Sequence, residues 1–186
     1  YDEDFIKKTE YIYPYELSKH LLSRVAGDNI EIADIGCGTG AIGLELRKAG
    51  LIIDGFDISE GMLKVARQKN VYRQLYCLDL DNEAEFPLLK YSAVVSCGTF
   101  TLGHLGPSAL EKLLFFCSKD AICVIGVNGK HYDEQDFSKS LLTLEFERKI
   151  KDFETVTVPI YAQSDIVQPT EDQRLKEAEL CIFRFI

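Results

Sequence analysis

From Ile30 onward, short apolar stretches rich in Ile, Val and Leu alternate with stretches in which apolar residues recur every three or four positions. That alternation marks βαβ units and a parallel sheet, because a helix must carry the chain back before the next parallel strand can begin. The pattern predicts strands at 30–36, 52–57, 73–78, 92–97 and 121–127. Between them, "AIGLELRKAG" is closed by Gly50 as a C-cap, "SEGMLKVARQK" opens on Ser59 as an N-cap, and "PSALEKLLFFCSK" opens on Pro107 as a first-turn residue. A further helix is expected near 133–149. After it come "ETVTVPIYA" and "AELCIFRFI", strands at 153–161 and 178–186 with no crossover helix evident between them, and two such strands are most simply antiparallel neighbours. Ahead of the sheet, "YELSKHLLSRVAG" reads as one amphipathic helix with Leu17, Leu21, Leu22 and Val25 on its apolar side.

With 186 residues, 46% of them hydrophobic, the chain can bury one sizeable core and is too short for a dinucleotide domain plus a full substrate domain. One domain over 1–186 is expected, with 1–28 as an N-terminal helical segment and 29–186 as the α/β core. A formal net charge of -9 argues against bulk nucleic acid as a partner, since phosphate-binding surfaces depend on clustered Lys and Arg. The densest basic pairs, Lys7 with Lys8 and Arg67 with Lys69, read as solvated faces. Six cysteines (Cys37, Cys77, Cys97, Cys117, Cys123 and Cys181) include no C-x-x-C pair and lie mostly in apolar runs, as expected of reduced thiols in a cytoplasmic protein. No apolar run approaches the length of a membrane span, and the opening "YDEDF" is unlike a signal peptide. The expectation is a soluble protein with no membrane partner, and a start at Tyr1 rather than Met is compatible with residues upstream.

The stretch "IEIADIGCGTGAIGLEL", Ile30 to Leu46, bears on function, and its glycines fit two frames. Gly38, Gly40 and Gly43 make G-x-G-x-x-G, the dinucleotide pattern. Asp34, Gly36, Gly38 and Gly40 make D-x-G-x-G-x-G. Charge separates the two. A pyrophosphate over the turn and the following helix N-terminus would be repelled by Asp34, whereas the sulfonium and ammonium of S-adenosylmethionine would be attracted by it. Asp57 follows at the spacing of an acid that accepts hydrogen bonds from ribose hydroxyls, which suits either ligand. The third strand ends in "CLDL", offering Asp79 to an adenine amino group and the Leu80 amide to a ring nitrogen, with an ordinary turn Asp as the alternative.

These residues resemble the class I S-adenosylmethionine-dependent methyltransferases. The likeness runs through "ADIGCGTGAIGLELRKAG", "GFDISEGMLKVARQK", "LYCLDL" and "YSAVVSCGTF" in family order and spacing, and covers most of the chain from about Ile30. Within the family it is similar to the small group that includes the methyltransferase encoded in the Williams–Beuren syndrome region. The resemblance implies a Rossmann-like fold: a seven-stranded, mostly parallel sheet with a C-terminal antiparallel hairpin and helices on both faces. It also implies that Gly36, Cys37, Gly38 and Gly40 wrap the methionyl part of the cofactor and that Asp57 holds its ribose. Ile58 and Met62 would flank the adenine, Asp79 and Leu80 would read its edge, and Cys97, ending the fourth strand, would line the floor near the sulfonium. For Met62 and Cys97 a core role is the alternative. Tyr1, Tyr11, Tyr13 and Tyr15 stand where related enzymes fold an N-terminal lid, with packing of the first helix as the alternative. The turn "SKDAICVI" departs from the family in lacking Pro-Gly-Gly.

Methyl transfer needs no metal and no protein nucleophile; holding the acceptor in line and excluding water supplies much of the catalysis. A general base helps when the acceptor is a hydroxyl or an ammonium. His104, in the loop after the fourth strand, is the candidate, against a loop histidine with no chemical role; His20 in the first helix and His131 in a polar loop have less support. "SCGT" stands where N-P-P-[YF] would point to adenine or amide acceptors, which leaves a small molecule or a protein side chain. Two competing readings are an NAD-dependent oxidoreductase and a non-catalytic module that binds S-adenosylmethionine or its product S-adenosylhomocysteine.

Overall fold

The computed structural model describes residues 11–27, 30–83, 86, 88–162 and 172–186; Tyr1, Lys7 and Lys8 lie outside them. Seven strands, β1 (Glu31–Ile35), β2 (Ile52–Asp57), β3 (Gln74–Cys77), β4 (Tyr91–Phe100), β5 (Cys117–Asn128), β6 (Ile150–Pro159) and β7 (Glu177–Phe185), form one sheet in the order β3-β2-β1-β4-β5-β7-β6. The first five are parallel, and β7 runs antiparallel between β5 and β6. The last two strands are therefore antiparallel neighbours, as their sequence predicts. Strand order reverses between β1 and β4, so their carboxyl ends splay apart and open a crevice there.

Among the described residues six α-helices cover the sheet: α1 (Tyr13–Leu22), α2 (Ala41–Lys48), α3 (Glu60–Gln68), α4 (Ser108–Leu113), α5 (Gly129–Glu134) and α6 (Phe137–Phe146). Successive strand residues point to opposite faces. Ile32, Val95 and Val124 meet Leu17 and Leu21 of α1 and Ile42 and Leu46 of α2 on one face. Ala33, Val94 and Cys123 meet Leu110 and Leu113 of α4 and Phe137 and Leu141 of α6 on the other. Both faces of the central strands are thus buried, which accounts for their near-unbroken Val/Ile runs. Among the described residues no helix is long and apolar enough to cross a membrane.

The structure corrects several boundaries. The first helix ends at Leu22, which is half-exposed, and Val25 lies beyond it; its buried stripe is Tyr13, Leu17 and Leu21, spaced one turn apart. The predicted helix at 133–149 is two helices, because Asp136 adopts φ +53° between α5 and α6 and interrupts the ladder. The fourth strand does not end at Cys97 but continues to Phe100 through a register shift, with Gly98 at φ +84°. Gly50, at φ +78°, follows α2 as predicted, and Ser59 Oγ accepts the Met62 amide at 3.3 Å to cap α3. Pro107 occupies the cap position of α4.

One close approach fixes α1 to the sheet. A Cβ built on Gly126 of β5 would stand 1.9 Å from Tyr13 Oη and 3.2 Å from Leu17 Cδ1, so glycine is what lets the tyrosine ring lie flat on the strand. Gly126→Ala is expected to lower stability by about 1–3 kcal/mol through overpacking. Urea unfolding of Gly126→Ala, Tyr13→Leu and the double variant checks it, with a smaller alanine penalty expected in the Tyr13→Leu background.

Candidate cofactor site

A cavity of about 660 Å³ opens at the carboxyl ends of the strands, within the usual size range of small-molecule sites. Gly36–Thr39, Asp57–Ser59, Met62, Leu78–Asp81, Cys97–Thr99, Gly103–Leu105 and Tyr11 line it. Of the residues anticipated from sequence, Gly36, Cys37, Gly38, Asp57, Ile58, Met62, Asp79, Leu80, Cys97 and His104 are brought together on its walls. Asp34 and Gly40 do not line it: Asp34 is fully enclosed within β1, and Gly40, at φ +90°, is the N-cap residue of α2.

The turn after β1 is held from both sides. The amides of Gly36 and Cys37 donate to Phe56 O at 2.7 and 3.0 Å, and the Gly38 amide donates to Asp57 Oδ2 at 2.8 Å. Asp57 Oδ1 accepts the Ser59 amide, also at 2.8 Å, so one carboxylate clamps the first two βα turns. From β4, Ser96 Oγ donates to Ile35 O at 2.7 Å, and Thr99 Oγ1 donates to Ile35 O and Gly36 O at 3.3 and 3.2 Å. Gly36 is required at that contact: its φ is +71° and a Cβ would fall 1.9 Å from Thr99 Oγ1. A carboxylate has about four acceptor directions, and Asp57 uses one on each oxygen for these amides, which leaves the others for a ligand. Beside it Ile58 and Met62 hold apolar side chains 67% and 47% exposed at the cavity mouth. Asp79 lines the same wall while its Oδ1 takes the Asp81 amide at 2.8 Å.

Asp34 sits beneath this turn with one partner, the Tyr72 hydroxyl, which donates to Oδ2 at 2.6 Å. Its Oδ1 is buried and has no hydrogen-bond partner among the described residues. Burial pushes the carboxyl up to about 7, the nearby Asp57 charge adds to the rise, and the Tyr72 hydrogen bond offsets part of it. Sequence reasoning missed Tyr72, and its ring explains a glycine that the second frame used. Cβ atoms on Gly43 and Gly40 would fall 2.5 and 3.0 Å from that ring, so the G-x-G-x-x-G spacing makes room for a tyrosine.

The opposite wall comes from the loop after β4 and from the N-terminal segment. His104 is exposed on that loop, whose backbone turns through the His104 amide donating to Thr101 O at 3.0 Å. His131, read from sequence as a polar-loop residue, is instead buried on α5: its Nε2 lies 2.9 Å from Leu105 O and its ring lies on Phe137, fastening the residue next to His104. Tyr11 reaches the cavity wall, pairs with Tyr161 as an isolated antiparallel bridge, and packs its ring, tilted by 53°, 5.8 Å from that of Tyr161. Of its neighbours, Tyr13 packs against Gly126 and Tyr15 is exposed.

Residues 32–119 match the family model described as a methyltransferase domain. Over 84 residues the chain is 33% identical to methyltransferase-like protein 27 of Homo sapiens, a match covering 44% of this chain and 34% of that protein. A relative from Geobacillus sp. is matched over 18% of its length, so these relatives extend well beyond the shared stretch. Among solved structures, a TehB-like SAM-dependent methyltransferase from Corynebacterium glutamicum superposes with TM-score 0.63 at 20% identity, covering 93% of this chain and 87% of that one. Magnesium protoporphyrin IX methyltransferase from Synechocystis, solved with bound SAM, gives TM-score 0.63 at 17% identity, covering 93% and 79%. The chain thus shares the fold of these solved methyltransferases, with its glycine turn at the strand-order reversal that the topology singles out.

The raised Asp34 carboxyl couples stability to pH. Its unfolded value is about 4 and its folded value about 7, so its contribution is fully present below pH ~4 and is lost as pH rises through ~7. Urea midpoints of wild type and Asp34→Asn, compared between about pH 4.5 and pH 8, should show wild type losing ground relative to the variant up to about 7 and then levelling. A difference independent of pH would contradict it.

Proposed function

We propose that the chain binds S-adenosylmethionine in this cavity and transfers its methyl group in line to a small-molecule or protein acceptor. The observation that carries the reading is the clamped glycine turn, whose Asp57 keeps acceptor directions open beside the exposed apolar pair Ile58 and Met62. The residues present fit the cofactor. Gly36 to Gly38 offer a cradle that a Cβ at Gly36 would fill, Asp57 suits ribose hydroxyls, and Ile58, Met62, Asp79 and Leu80 suit an adenine. The buried Asp34 Oδ1 supplies a counter-charge where the dinucleotide reading would place an anion.

When bound, the cofactor supplies a methyl carbon already activated by its sulfonium. The chain's own part is to hold the acceptor and exclude water, with Tyr11, Cys97 and Thr99 forming the wall across from the glycine turn. His104, exposed at the cavity edge, accepts the proton of a hydroxyl or ammonium acceptor. The loop that carries it is held by His131 through Leu105 O. The Cys97 thiol is not a nucleophile here: burial holds it protonated, well above the usual thiol range. The closer likeness to the Williams–Beuren region group and a cytoplasmic setting belong to the same proposal, the first supported by the motifs and the second by six free cysteines.

Thermal melts test the reading. S-adenosylhomocysteine at a hundredfold excess over its dissociation constant should stabilise the folded state by about 2.7 kcal/mol, and NAD should not shift it. Asp57→Ala should shrink the shift, because charge-assisted hydrogen bonds to the ribose are worth roughly 1.5–3 kcal/mol. His104→Ala should keep the shift and slow product formation on an acceptor. A shift with NAD alone would overturn the proposal.

A further inference from the structure

Two buried aspartates occupy neighbouring central strands, and their surroundings differ. Asp54 of β2 receives Arg73 Nε at 3.0 Å and the Gln74 amide at 3.1 Å on Oδ1, and Arg73 Nη2 at 2.6 Å and Tyr91 Oη at 2.9 Å on Oδ2. Two hydrogen bonds from one guanidinium and two from other donors thus meet that charge inside the protein. Asp34 of β1, equally buried, receives a single phenol on one oxygen and nothing on the other among the described residues. The groups acting on it from the packed elements are Tyr72 ahead of β3, Cys37 after β1, Cys97 in β4 and the Asp57 carboxylate at the end of β2. None of these is a cation. The residues that follow Asp34, from Ile35 to Thr39, line the cavity.

We propose that ligand entry displaces the proton of Asp34, with Tyr72 as the positioning residue that holds the carboxyl for this exchange. The inference rests on the cofactor reading above. In the free protein the Asp34 carboxyl keeps its proton because ionising it strands a buried charge with a single phenol and no cation beside it. A ligand bearing an ammonium group over the turn supplies the missing counter-charge. The carboxyl O–H bond then breaks, its electrons stay on the carboxylate, and the proton passes to buffer. Tyr72 donates to Oδ2 in both states, and its ring is wedged against Gly40, Gly43 and Gly55, so the carboxyl cannot swing away to find another partner. Only the ionised fraction of the protein is competent, so apparent affinity falls by roughly tenfold for each pH unit below the midpoint and is level above it.

Calorimetric titration with S-adenosylhomocysteine, in paired buffers of different ionisation enthalpy between about pH 5.5 and pH 7.5, reads heat and proton count separately. Wild type should release close to one proton at the acid end and progressively fewer toward the alkaline end. Asp34→Asn, which lacks the counter-charge, should bind more weakly than wild type at the alkaline end, with no proton release and with affinity independent of pH. Tyr72→Phe should still release a proton, with its midpoint moved upward, since a hydrogen bond to the charged form is lost. His104→Ala should leave the release unchanged. Binding by wild type without proton release overturns the proposal, as does release that survives in Asp34→Asn or disappears in His104→Ala. No binding at any pH overturns the cofactor reading and the proposal with it. The wild-type proton count needs no variant to fold.

Discussion

Two backbone amides from different βα turns, those of Gly38 and Ser59, donate to the one carboxylate of Asp57. The rest of the site depends on this. A turn built on glycines at positive φ is costly to order, because glycine loses more freedom than any other residue on folding. Asp57 and the Phe56 carbonyl hold that turn from β2, and Ser96 and Thr99 hold it from β4. A ligand arriving there meets amides already in place and does not have to order the turn. Asp57 also explains why β2 can end in an acid at the cavity mouth: two amide donors satisfy its charge before any ligand is present.

The same physics, with the opposite outcome, distinguishes Asp34. Burial without a counter-charge raises its pKa, while Asp54, on the neighbouring strand, has Arg73 and Tyr91 as partners. One acid has its counter-charge within the fold, and the other is the one we propose to be met by a cationic ligand. The difference bears on the two glycine frames, since a resident acid with an unpartnered oxygen under the turn suits a cationic ligand and opposes a pyrophosphate.

Much of this was legible in the sequence because it rests on local signals. The Val/Ile runs marked the central strands, Ser59 marked a helix start, and the helix-free ending of the chain marked an antiparallel return. Most cofactor-site residues come from strand ends, where spacing along the chain translates directly into position on one edge of the sheet. What was missed involves partners far apart in sequence. Tyr72 meets Asp34 across 38 residues and His131 meets Leu105 across 26, and neither pair leaves a periodic signal. The break at Asp136 was hidden for another reason: apolar periodicity continues through it, and a single residue at φ +53° decides the boundary.

The central claim is that the turn clamped by Asp57 receives the ribose and methionyl end of an S-adenosyl cofactor. A crystal structure of the chain grown with S-adenosylhomocysteine tests it most directly. The account predicts ribose hydroxyls on Asp57, the adenine between Ile58, Met62 and Leu80, and the amino-acid end over Gly36 to Gly38. Ligand bound elsewhere with this cavity empty, or a ribose with no contact to Asp57, would contradict it.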